Sequence, residues 1–125
     1  MNRFLVIALG AALGANARYF VGQWAGERFG SAYPYGTFLV NVTGSLVLGF
    51  LLTLGMGKIN LSPELRLFLA VGFLGSYTTF SSYAVESFAL FQGGSPWGAL
   101  INVAGNNLVG LICALLGVYL AKVVG

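Results

Sequence analysis

A chain of 125 residues that is 58% hydrophobic and only 7% charged cannot solvate its own surface, since soluble domains carry about 25% charged residues. It reads as an integral membrane protein. Its net charge of +3 comes from single, dispersed residues, which leaves no basic patch for nucleic acid.

Histidine is absent and Cys113 is the one cysteine, so neither a transition-metal cluster nor an intrachain disulfide is expected. No nucleophile–base pair is visible, so the chain does not read as an enzyme. A spanning helix needs about 20 mostly apolar residues. Four windows qualify: Arg3 to Gly22, Gly36 to Met56, Leu67 to Phe91 and Trp97 to Leu120. The connections, Gly26 to Pro34, Gly57 to Pro63 and Gly93 to Pro96, are short and carry breaker residues, so residues 1–125 form one all-α transmembrane domain.

The first window carries Gly10 and Gly14, a GxxxG pair that lets helices approach closely in lipid. Ala15-Asn16-Ala17 matches a secretory cleavage pattern, but retention as a first span is the simpler reading. Arg18 lies near the end of this span, where a vestibule, an ion pair with Glu86 or a snorkelling side chain are the alternatives.

The second window holds Thr37, Asn41 and Ser45 at i, i+4, i+8; Ser45 and Gly49 also form a small-xxx-small pair. In the fourth, Asn102, Asn106 and Gly110 repeat the i, i+4, i+8 spacing. Residues at that spacing share one helix face. An amide in hydrocarbon needs a partner, so both stripes face inward, either as interhelical glue or as the wall of a pathway. Asn107, beside Asn106, reads as glue.

The third window differs. Gly72 to Glu86 (GFLGSYTTFSSYAVE) places glycines, hydroxyl residues and a carboxylate at membrane depth. Irregular backbone there is tolerated only where it is buried in protein or lines a water-filled cavity, so a broken helix near the middle of this span is expected. Ser62-Pro63 and Ser95-Pro96 read as N-cap and first turn of the helices that follow. Phe80 and Tyr83 follow the break at i, i+3, and the positive edges of aromatic rings can face an anion. Amide N–H groups of Asn41 and Asn106 are expected to complete a donor shell around it. Glu86, one turn further on, is expected to gate or to bond Thr79 or Ser82. With an even number of spans, Arg3, Lys58, Arg66 and Lys122 share one side and Arg28 faces the other, a weak positive-inside bias toward cytoplasmic termini.

Three segments in register, GAALGANARY from Gly10, GTFLVNVTGS from Gly36 and GFLGSYTTFSSYAVE from Gly72, resemble the Fluc (CrcB) family of small fluoride ion channels, along essentially the whole chain. The resemblance implies a passive, fluoride-selective channel in the cell (plasma) membrane that lowers cytoplasmic fluoride in microbes. It implies an antiparallel, dual-topology homodimer with two pores. A structural sodium ion would lie at the dimer centre, held by the Gly75 and Thr78 carbonyls of both subunits. Phe80 and Tyr83 would be the aromatic box. Asn41, Ser81, Ser82, Asn106 and Gly110 would line the fluoride pathway, with Asn102 near one mouth and Arg18 at a vestibule. Two residues depart from the pattern: Tyr83 stands where Phe is common, adding a hydroxyl, and Gly110 replaces a hydroxyl residue of some relatives. The alternative, a four-span proton-coupled multidrug exporter, needs a carboxylate in the first span, which here holds Arg18 and no acid.

Overall fold

A computed structural model describes residues 2–57 and 59–125, so Lys58 of the charge argument lies outside the described residues. Helix α1 (Arg3–Phe29) starts where Asn2 Oδ1 accepts from Phe4 N at 2.7 Å. It runs 27 residues, about 40 Å at 1.5 Å per residue, and so continues well beyond the Gly22 boundary. Gly26 does not stop it. The stop comes at Gly30, whose φ of 87° is the left-handed conformation that glycine adopts without strain, and whose N–H reaches Gly26 O. Helix α2 (Tyr35–Met56) follows at once.

The third crossing is broken, as expected. Its first half, α3, covers residues 63–77: an α-helical start at Pro63–Arg66, a wider π-wound stretch at Leu67–Leu74 and a last α turn at Gly75–Tyr77. Thr78 (φ −84°, ψ 158°) and Thr79 (φ −150°, ψ 121°) are extended. Helix α4 (Phe80–Gln92) then resumes, with Thr79 Oγ1 accepting from Ser82 N at 3.2 Å as its N-cap. The break therefore sits at Thr78–Thr79, while Gly75 (φ −62°, ψ −31°) is still helical. Threonine at an N-cap competes for backbone donors better than glycine does, which places the exit from the helix later than the glycines suggest.

Helix α5 (Pro96–Val124) forms the fourth crossing, with a π-wound turn at Gly105–Val109. Ser62 and Ser95 cap α3 and α5 by accepting from Leu65 N and Gly98 N at 3.1 and 3.2 Å, each followed by proline in the first turn. Helices α1, α2 and α5 are each long and apolar enough to cross a bilayer; α3 and α4 together make the remaining crossing, and the chain is a multi-pass membrane protein.

Small residues bring the helices together. A Cβ on Gly14 would collide with the Phe73 carbonyl, one on Gly10 with the Phe68 carbonyl, and one on Gly72 would come within 3.0 Å of Gly10 Cα. The GxxxG face of α1 is thus spent on α3 within the same chain, and Gly49 of α2 lies similarly against the Ala114 backbone of α5. Large apolar side chains such as Phe4, Phe20, Leu111 and Leu115 are exposed along the bundle, as a lipid-facing surface requires.

Candidate functional site

Leaving the helix at Thr78–Thr79 strands backbone groups that a low-dielectric interior cannot leave unpaired. Asn41 of α2 satisfies Thr79 on both sides: its Oδ1 accepts from Thr79 N at 2.8 Å and its Nδ2 donates to Thr79 O at 3.0 Å. Arg18 Nε donates to Ser76 O at 3.2 Å. Among the described residues, the Gly75 and Thr78 carbonyls accept no hydrogen bond.

Asn41 begins a polar chain through the bundle. Its Nδ2 also donates to Asn106 Oδ1 at 2.9 Å, and Asn106 Nδ2 donates to Asn102 O and Oδ1 at 2.9 and 3.0 Å. Asn102 Nδ2 donates to Ser87 Oγ at 2.8 Å, and Ser87 donates to Tyr83 O at 2.8 Å. Both polar stripes meet here, and they tie α2, α4 and α5 together. This bears on the expected donor shell: the amide hydrogens of Asn41 and Asn106 are engaged by protein acceptors and leave no spare N–H for an anion. Asn102, expected near one mouth, is instead wholly enclosed at 0% exposure. Its burial follows from its place between Asn106 and Ser87, and Ser87, next to Glu86 in the chain, carried no spacing signal of its own.

The site residues fall on two sides of the break. One groove of about 260 Å³ is lined by Asn41, Ser45, Thr78, Thr79, Phe80, Tyr83, Asn106 and Asn107, together with Gly44 and Leu48. Phe80 and Tyr83 meet edge to face, with centroids 5.4 Å apart and planes at 65°. The Tyr83 hydroxyl accepts from Asn107 Nδ2 at 2.7 Å. The π-wound turn at Gly105–Val109 lets adjacent Asn106 and Asn107 both reach inward partners, Asn41 and Tyr83.

On the other side, a cleft of about 180 Å³ is lined by Arg18, Thr37, Val40, Thr79, Ser82 and Glu86, among others. Glu86 Oε2 accepts from Thr37 Oγ1 at 3.1 Å, rather than from Thr79 or Ser82, because α2 presents Thr37 directly to α4. Its Oε1 is enclosed with no protein partner. Arg18 and Glu86 share this cleft, where the Arg18 Nε–H goes to the Ser76 carbonyl. Glu86 also lines a larger opening of about 570 Å³ toward Tyr33 and Ser95. Burial, and then neighbouring Tyr35, push the Tyr33 phenol above its usual range.

Gly110 is buried beside Ser45 and lines neither cavity, and Ser81 is exposed outside both. Thr79, common to both cavities, is the central residue the motifs underplayed. Its signal was the T-x-x-S pattern of an N-cap inside an apolar run.

A family model described as "CrcB-like protein, Camphor Resistance (CrcB)" matches residues 5–118. The chain belongs to the CrcB family. Its relatives align almost end to end. A fluoride-specific ion channel FluC of Chloroflexus aurantiacus is 48% identical over 122 residues, 98% of this chain and 97% of its own. A fluoride-specific ion channel FluC of Sulfurihydrogenibium sp. is 43% identical, covering 98% of each chain. One of Trichormus variabilis is 42% identical, covering 97% of this chain and 89% of its own. The broken crossing, Asn41 and the aromatic pair thus lie wholly within the span that CrcB relatives share.

Proposed function

We propose that this CrcB chain is a passive, fluoride-selective ion channel. The observation that carries the reading is the 48% identity, over nearly the whole of both chains, to a relative named a fluoride-specific ion channel. The site is compatible with it. A groove at membrane depth with aromatic edges and hydroxyls, and no cation in its lining, suits a small hard anion that must leave again after binding.

The working unit is an antiparallel, dual-topology homodimer with two pores. Support comes from what one chain leaves uncovered: Phe80 is 78% exposed, and Ser81 and Asn107 are also exposed at membrane depth. Polar groups at that depth face protein or a water-filled cavity rather than lipid. A second copy would close the groove.

A structural sodium ion fits the break. Carbonyl oxygens are hard ligands suited to an alkali cation, and the Gly75 and Thr78 carbonyls accept no other bond among the described residues. Ser76 O already accepts a hydrogen bond from Arg18 Nε. Gly75 and Thr78 of both subunits would hold the ion, which would supply positive charge that pins the two breaks together.

Purified protein in liposomes tests the function. Fluoride should leave the vesicles passively while chloride is retained, and replacing sodium by a large organic cation should abolish the flux. Absence of fluoride flux, or equal chloride flux, would overturn the reading.

A further inference from the structure

We propose that the Tyr83 hydroxyl is a hydrogen-bond donor to the anion in the 260 Å³ groove, and that Asn107 is its positioning residue. The inference rests on the fluoride-channel reading above.

Two hydrogen bonds decide the direction of the phenol. Asn107 Nδ2 lies 2.8 Å from Val103 O, an acceptor only, so that atom must be the nitrogen; a flipped amide would set two oxygens against each other. The same Nδ2 lies 2.7 Å from Tyr83 Oη. The phenol oxygen therefore accepts from Asn107, and its own hydrogen is turned away from that amide. Among the described residues nothing accepts that hydrogen.

The rest of the groove makes this hydrogen scarce. Ser45 donates to Asn41 O and Thr78 to Leu74 O. The amides of Asn41 and Asn106 are engaged as described, and Thr79 is the other hydroxyl whose hydrogen is uncommitted. A groove of ring edges and largely consumed donors gains disproportionately from one oriented O–H, because hydrogen bonds to an ion are stronger than neutral ones. Tyr83 also packs against Phe80, so the donor sits beside the ring edge that the same anion would meet.

Fluoride currents from purified protein in bilayers test this, read as the fluoride concentration that gives half-maximal conductance. Tyr83→Phe keeps the ring and should raise that concentration about tenfold, the equivalent of ~1.4 kcal/mol, with the thermal midpoint in detergent unchanged. Asn107→Leu frees the phenol to rotate and should move the same quantity in the same direction. In the Tyr83→Phe background, Asn107→Leu should add nothing. A Tyr83→Phe channel with wild-type concentration dependence overturns the donor role. Additive effects of the two substitutions overturn the positioning role. Wild-type protein that carries no fluoride overturns the channel reading itself, which is a separate result.

Discussion

Asn41 and Thr79 form a reciprocal pair in which one side-chain amide replaces a turn of helix. Its oxygen takes the Thr79 N–H at 2.8 Å and its nitrogen serves the Thr79 carbonyl at 3.0 Å. The break in the third crossing is thus held by α2 rather than by its own helix. Asn41→Leu should strand both backbone groups in a low-dielectric interior. Each stranded group costs about 1–3 kcal/mol, so the thermal midpoint in detergent should fall sharply. Asn41→Gln, with the same groups on a longer arm, should be the mildest replacement.

Phe80 is 78% exposed in the single chain, so its side chain contributes little to the chain's own packing. Phe80→Ile should leave folding and oligomeric state intact while cutting fluoride flux from liposomes by more than about tenfold, through loss of the ring edge. Unchanged flux would remove the aromatic pair from the conduction path.

The close approach of α1 and α3 predicts a contrast between glycines. A Cβ at Gly14 would meet the Phe73 backbone, whereas one at Gly26 would meet nothing within 4 Å. Overpacking against backbone costs roughly 1–3 kcal/mol, so Gly14→Ala should destabilise the protein. Gly26→Ala should be neutral or gain up to ~1 kcal/mol from helix propensity. Thermal unfolding in one detergent compares the two directly.

Thr37 is the hydrogen-bond partner of Glu86, at 3.1 Å, and the other carboxyl oxygen is already enclosed without one. Thr37→Val keeps the shape and removes the donor. It should cost about 1–3 kcal/mol, as expected for a buried polar atom left alone. Thr37→Ser should restore most of that stability.

Much of the architecture was legible because membranes impose it. The crossings, the serine–proline starts of α3 and α5, and the break after Gly72 all follow from length, capping and the intolerance of hydrocarbon for irregular backbone. The exact place of the break was not legible, since glycine and threonine both interrupt helices and only the partner Asn41 selects Thr78–Thr79. The π-wound turn at Gly105–Val109 was equally hidden, because a plain 3.6-residue period describes the stripe of Asn102 and Asn106 just as well.

By itself, then, the amino-acid order determined a multi-pass helical bundle, with inward polar stripes on the second and fourth spans and a polar interruption in the third. Those follow from local periodicity and from the cost of stranding polar groups in lipid. Which donor serves which acceptor was decided by tertiary structure alone. Asn41 and Asn106 look like free donors in the sequence, and the fold consumes their hydrogens on Thr79, Asn106 and Asn102. Tyr83, which the sequence marked only as an extra hydroxyl, is the donor that the packing of Asn107 leaves unspent. A hydrogen bond depends on where two distant segments meet, and that is information no local spacing carries.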